Sequence, residues 1–232
     1  MKQIAINKLK VNEAQLFAPY VGKDDFRPKL MKPFLSNGYV CASDTYALLM
    51  VKEELLSGKY ESNGIDVTKV TTKPNNSAVY TLEELQKAIN DSMTGDEEEI
   101  ISPRIDCDEC DGDGTVEWEY ISSSGCRHTQ YFDCPICEGS GVIADAVVRK
   151  TGKKCALDDD IISIQSLKFR TALIAKMCAT MELLSIDKVE YIARYQAKGN
   201  RFRLADGIEV IIMPNNLPQK AKVHLKHIKQ QL

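Results

Sequence analysis

A chain of 232 residues that is 44% hydrophobic can bury a sizeable core in one large domain or two small ones. No run of about 18 apolar residues is present to cross a bilayer, and Met1–Val11 alternates Lys with Ile and Leu where a signal peptide would need an apolar block. A formal net charge of −3 and eight cysteines without a secretory signal point to a soluble protein with reduced thiols, expected in the cytoplasm and not at a membrane.

The chain opens on alternation at Ile4 and Ile6, which predicts a strand. Asn12 can cap a short helix whose face is Leu16, Phe17, Tyr20 and Val21, shortened by Pro19. Three strands are expected at Lys29–Leu35, Tyr39–Ala42 and Thr45–Val51, separated by Asn37-Gly38 and Ser43-Asp44. The polar stretch Ser57–Ser77 reads as loop or linker. Thr81-Leu-Glu-Glu84 has capping-box form and starts a helix running to about Asn90. Asp96–Glu99 reads as an acidic surface run.

Two copies of one pattern follow, Cys107-x-x-Cys110-x-Gly112-x-Gly114 and Cys134-x-x-Cys137-x-Gly139-x-Gly141, with 23 residues between Cys110 and Cys134. Four thiolates in two Cys-x-x-Cys turns complete a tetrahedral Zn²⁺ with no open position, so one structural zinc on Cys107, Cys110, Cys134 and Cys137 is expected, and catalysis at it is not. The glycines allow tight wrapping around the ion. Val116, Trp118 and Tyr120 alternate as a strand facing Gln130–Asp133, so an antiparallel ribbon rises between the two turns, with its base at Glu99–Ile105 and Val142–Val148. Trp118 and Tyr120 are either ribbon packing or a partner-binding patch. The repeated motif resembles the zinc hairpin of DnaJ-type chaperones, with two copies here against four there. The J-domain tripeptide His-Pro-Asp is absent, so a chaperone function does not follow.

The ribbon is strongly acidic. Nine acids stand against Arg127 alone from Asp106 to Val142, a local net charge of −8 that leaves +5 for the remainder. Phosphate would be repelled there, so the ribbon suits a protein partner, and any contact with nucleic acid lies elsewhere.

Beyond the ribbon, Ile161–Gln165 reads as a strand and Ser166 as the cap of a helix with apolar positions at Leu173, Ile174, Met177, Cys178, Met181 and Leu184. Strands are expected at Lys188–Gln196, Arg201–Ala205 and Ile208–Met213, ended by Pro214. The two ends of the chain thus share one β-α-β-β-β order, a duplicated half-domain in an α+β fold. The expected organisation is 1–100 for the first half with linker and helix, 101–146 for the zinc ribbon insertion, and 147–232 for the second half and a basic tail.

Arg27-Pro28-x-Leu30, Gly38-Tyr39-Val40-Cys41-Ala42-Ser43-Asp44 and Tyr46-Ala47-Leu48-Leu49 are similar to the strand-turn-strand segment of bacterial polymerase III beta clamps. Asp206-Gly207-Ile208-Glu209-Val210-Ile211-Ile212-Met213-Pro214 resembles the last hairpin of clamp-like proteins, including small ones carried by phages and mobile elements. The resemblance implies a single clamp-like domain, a non-enzymatic role in DNA metabolism and double-stranded DNA as a partner. Encircling a duplex would take an oligomer, since clamp subunits have two or three such domains.

Candidate DNA contacts are Lys168, Arg170 and Lys176 on the second helix and Lys220, Lys222 and Lys226 in the acid-free tail. For each set the competing reading is an ordinary solvated surface, which is the preferred one. Ala221, Leu225, Ile228 and Leu232 fall at helical intervals and predict an amphipathic tail helix. Thr151-Gly152-Lys153-Lys154 lacks the leading glycine and the Ser or Thr of a phosphate loop, Asp158-Asp159-Asp160 reads as a charged turn, and three histidines leave little for acid-base work. The rival reading is a zinc-stabilised protein-interaction adaptor that binds no DNA.

Overall fold

Asn12 sets the first element: its side-chain oxygen accepts from the N–H groups of Ala14 and Gln15 at 3.0 and 3.3 Å and caps helix α1 (Glu13–Phe17). Leu16, Phe17 and the nearby Tyr20 are fully buried. Three strands follow, β1 (Phe34–Ser36), β2 (Tyr39–Ser43) and β3 (Ala47–Lys52). Asn37 and Gly38 both take positive φ, 52° and 77°, as a type I′ hairpin needs. At the second turn Asp44 Oδ1 accepts from Tyr46 and Ala47 N–H, holding Thr45 at φ 78°. Lys29 does not begin a strand, because Pro28–Leu30 forms a single 3₁₀ turn and Pro33 cannot donate to a ladder.

Strand β4 (Ala78–Thr81) runs into helix α2 (Leu82–Ser92), whose capping box joins Thr81 and Glu84 reciprocally. The ribbon region comprises β5 (Gly95–Ser102), β6 (Ile105–Asp106), β7 (Thr115–Ile121), β8 (Arg127–Asp133), β9 (Val142–Ala144) and β10 (Val147–Cys155). After it come β11 (Ile161–Ile164), β12 (Leu167–Arg170), helix α3 (Thr171–Leu183), β13 (Lys188–Ala193), β14 (Asn200–Ala205), β15 (Ile208–Ile212) and β16 (Val223–Leu225).

The computed structural model describes residues 8–225 as two compact units, one of residues 8–95 and 156–225 and the other Asp96–Cys155. The opening strand expected at Ile4 and Ile6 lies outside the described residues, as does Lys226. In the first unit a seven-stranded antiparallel sheet has the order β1-β2-β3-β15-β14-β13-β4. The meander β1-β2-β3 therefore meets the meander β13-β14-β15 through their last strands, with Val51 opposite Ile208 and Ala47 opposite Ile212. Each of those two strands is buried on both sides. On one side the helices supply Leu85, Ile174, Met177 and Met181, and Tyr20 and Thr180 share a buried hydroxyl bond of 2.9 Å. The opposite side carries a smaller cluster of Phe34, Cys41, Leu48, Met50, Val67 and Ile211.

That smaller cluster corrects the reading of Ser57–Ser77 as a linker. Val67 is 3% exposed and closes over the sheet, with Ile65 packed beside it and Tyr60 against the main core, so this polar stretch is a packed loop and not a free linker. Ser166 is likewise no helix cap. With Gln165 it forms the positive-φ turn, 49° and 69°, of the β11-β12 hairpin. The alternation Leu167 and Phe169 buried, Lys168 and Arg170 half-buried, is a strand period. The carboxy-terminal segment is also extended: Val223–Leu225 pairs parallel with β11, so no helix forms over the described part of the tail. The described chain is mostly β with three α-helices, and none of these is long and apolar enough to cross a membrane.

Candidate metal centre

The four cysteines of the repeated motif come together. Cys107, Cys110, Cys134 and Cys137 are all buried, and their sulfurs lie within 4.8 Å of one another. Cys107 and Cys134 sulfurs are 3.8 Å apart, Cys110 and Cys137 sulfurs 3.7 Å. A regular tetrahedron with Zn–S bonds of about 2.3 Å has edges of about 3.8 Å, so the thiolates are spaced for one ion of that size. All four corners are protein sulfur, which leaves no position for substrate or water.

Two identical half-sites build the cluster. In each, the second glycine N–H points at the second cysteine: Gly114 N to Cys110 Sγ at 3.3 Å and Gly141 N to Cys137 Sγ at 3.2 Å. The halves then exchange backbone bonds, Cys107 N–H donating to Gly141 O at 2.9 Å and Cys134 N–H to Gly114 O at 2.8 Å. Four crowded thiols cannot all ionise without a cation. Burial pushes Cys107 up to about 12, whereas for Cys137 burial is outweighed by the Gly141 N–H and the neighbouring sulfurs, which draw it down to about 7.

Between the halves, β7 and β8 pair in register from Thr115 opposite Asp133 to Ile121 opposite Arg127. Gly125, at φ 80°, turns the ribbon, with its N–H on Ser122 O at 2.8 Å. Opposite residues of an antiparallel pair share a face. Val116, Trp118, Tyr120, His128, Gln130 and Phe132 therefore line one face without a charge, and Val116 packs against the cysteines. The other face carries Glu117, Glu119, Asp133 and Arg127, the last paired with Glu119 at 2.8 Å. Cys126 and His128, whose side chains could also ligate a metal, lie at the turn end of this ribbon, some six residue steps or roughly 20 Å from the cluster. At the base of the insertion β5 pairs with β10, so the acidic run of residues 96–99 is a strand opposed by bases: Asp96 meets Lys150 and Lys154 at 2.8 and 2.6 Å, and Glu99 meets Arg149 at 2.7 Å.

The candidate DNA contacts do not share a helix. Only Lys176 is on α3, where its amine is bound to Asp44. Lys168 and Arg170 lie on β12, with Lys168 Nζ 3.4 Å from Leu217 O and the Arg170 guanidinium 5.0 Å from the Tyr46 ring centre. Lys220 is exposed, and Lys222 is bound to Asp160.

Asp160 was hidden in a run of three aspartates. It is wholly buried and accepts from Thr94 N–H at 3.0 Å, Thr94 Oγ1 at 2.8 Å, Leu157 N–H at 2.9 Å and the Lys222 ammonium. Its position three residues after Leu157, next to the apolar run Ile161–Ile164, is the one signal the sequence holds for that role.

No protein-family model matches the sequence, and no curated protein does. In three dimensions the chain is similar to DNA polymerase sliding clamps. One is that of Pseudomonas aeruginosa, 10% identical, covering 88% of this chain and 63% of that one, with a TM-score of 0.45. The Helicobacter pylori beta clamp bound to a DNA ligase peptide is 12% identical, covers 90% and 65%, and also scores 0.45. The beta sliding clamp of C. crescentus is 8% identical, covers 94% and 68%, and scores 0.46. The chain thus spans a little under two thirds of the Pseudomonas clamp's length.

Proposed function

We propose that this protein is a non-enzymatic accessory factor of DNA metabolism, whose helix-backed sheet is a clamp-like scaffold and whose ribbon, ordered by one structural zinc ion, recruits a partner protein. One observation carries the reading: an uncharged aromatic face that starts at the four-cysteine cluster and runs outward along the ribbon. Trp118, Tyr120 and Phe132 on it are 57%, 66% and 48% exposed. Contiguous apolar surface of this kind is costly to leave in water and marks interaction sites. The DnaJ-type motif and the thiolate spacing support zinc, and free thiols suit the cytoplasm. The test is co-purification from cells with the full chain and with Trp118→Ala/Tyr120→Ala. A polypeptide retained by the first and lost from the second and from chelated protein is expected; identical partners for both would overturn the reading.

Duplex binding is the second reading, and a different surface favours it. Lys168 and Arg170 lie on β12 of the three-stranded sheet β12-β11-β16, and Lys222, whose N–H donates to Ile161 O, and the exposed Lys220 immediately precede β16 in the chain. The helix layer is a poorer candidate, with Glu83, Glu84, Asp91 and Glu182 against Lys87 and the paired Lys176. Binding through that sheet predicts measurable affinity at low salt that falls steeply as salt rises, with a slope flattened by Lys168→Ala and Lys220→Ala. No binding at about 50 mM salt leaves the protein an adaptor alone.

A further inference from the structure

The ribbon's two faces both carry exposed apolar side chains, Trp118, Tyr120 and Phe132 on one and Tyr131 and Ile121 among the acids on the other, but they differ in charge, and that difference bears on the partner. On one, Trp118 and Phe132 meet edge to face with ring centres 6.1 Å apart, and Tyr120 stacks against His128 at 6.2 Å. This face has no ion pair and no carboxylate. Acids surround it. Glu117 and Glu119 project from the same strand to the other face, Asp133 ends β8, and Asp108, Glu109, Asp111, Asp113 and Glu138 crowd the two cysteine turns. Four thiolates holding a divalent cation add a further net −2.

We propose that the occupant of this face is a polypeptide segment bearing arginine or lysine, seated with its aliphatic stems and cations over Trp118, Tyr120 and Phe132 and drawn there by the net negative field of the ribbon's acids. This rests on the reading of the ribbon as a partner-binding element and adds the partner's chemistry. Cations are attracted to the faces of aromatic rings and to the surrounding negative field, and Arg and Lys stems bury against apolar surface. An acidic or phosphate-bearing ligand meets the same field with the opposite sign, so a single-stranded nucleic acid stacking on the rings is disfavoured despite the aromatics.

Trp118 is the only tryptophan of the chain, so its emission reports on this face alone. The full zinc-loaded chain is titrated with a 12-residue peptide alternating Arg and Leu, with its Gln-Leu and Glu-Leu counterparts, and with a single-stranded oligonucleotide. The Arg-Leu peptide is expected to shift Trp118 emission at concentrations at least tenfold below the Gln-Leu peptide, with an affinity that falls as salt rises. Tyr120→Ala and Phe132→Ala, which change no charge, are expected to weaken it at least fivefold, whereas Glu97→Gln on β5 leaves it unchanged. Equal response to all three peptides, a response to the oligonucleotide, concentration-dependent self-association that alone shifts the emission, or equal sensitivity to Glu97→Gln and Tyr120→Ala would each overturn the proposal. A photoreactive side chain at position 120 in cells separates this from the parent reading. Zinc-dependent cross-links to neutral or acidic segments sink the basic partner and leave recruitment standing, and no zinc-dependent cross-link sinks both.

Discussion

A β-carbon placed on Gly141 would lie 2.2 Å from the carbonyl oxygen of Gly112, and Gly114 stands in the same relation to Gly139 O at 2.4 Å. The second glycine of each motif is thus required by the other half-site and not only by its own turn. Gly141→Ala is expected to force the two turns apart and lower bound zinc well below one ion per chain. Gly125→Ala, at a φ of 80° but with open space around it, should cost only about 1 kcal/mol of local strain and keep the metal. Zinc content by elemental analysis of both variants decides the matter.

Cys110→Ser removes one corner of the tetrahedron. Zinc stoichiometry is expected to fall, and the ribbon to lose something on the order of 10 kcal/mol of metal-derived stabilisation. Limited proteolysis should then cut within Asp96–Cys155 while residues 8–95 and 156–225 stay resistant, because their sheet and helices share no ligand with the centre. Unchanged zinc content would refute the ligand assignment.

Asp160 predicts a specific acid sensitivity. Burial alone would raise its carboxyl, but the Lys222 ammonium and the Thr94 and Leu157 donors hold it at about 2, below the ordinary 3.8. A lowered native value stabilises the fold above pH 4 and loses that contribution as pH falls from about 4 toward 2. Asp160→Asn is expected to destabilise by about 2 to 4 kcal/mol at pH 7 and to show a flatter dependence of denaturation midpoint over that acid window.

Lys176 is a body residue. Its amine is bound to Asp44, which also caps the β2-β3 turn, and the two side chains are 29% and 18% exposed. Lys176→Ala should cost about 1 to 2 kcal/mol by denaturant titration and leave the salt slope of any duplex binding as it was. A flattened slope would return it to the DNA-facing set.

The meeting of the four cysteines is legible because a Cys-x-x-Cys pair is a local geometric statement, and the same holds for Asn37-Gly38 and the Thr81/Glu84 capping box. Ser166 misled because serine caps helices and also tolerates turns, and only the pairing of Ile164 with Leu167 distinguishes the two. Lys168 and Arg170 went to a helix for the same reason: their two-residue period spans just four positions before Thr171. Over the described part of the tail the helical spacing gives way to the edge of β11, to which Val223–Leu225 adds a parallel strand; Ile228 and Leu232 lie outside the described residues. Only the Leu157 contact of Asp160 is local; Thr94 and Lys222 reach it from more than sixty positions away in either direction, so most of its role is invisible in its own segment.

The joining of β3 to β15 has a consequence for biosynthesis. Val51 meets Ile208 only after the entire insertion has left the ribosome, so the central sheet has to wait through most of translation with its middle edge open. The insertion waits for nothing of the kind: its strands and all four sulfurs lie between Asp96 and Cys155. If the cluster holds zinc as proposed, metal supply acts on the segment that can mature first, and a cell short of the ion is expected to accumulate chains whose ribbon is unformed before the scaffold has begun to close.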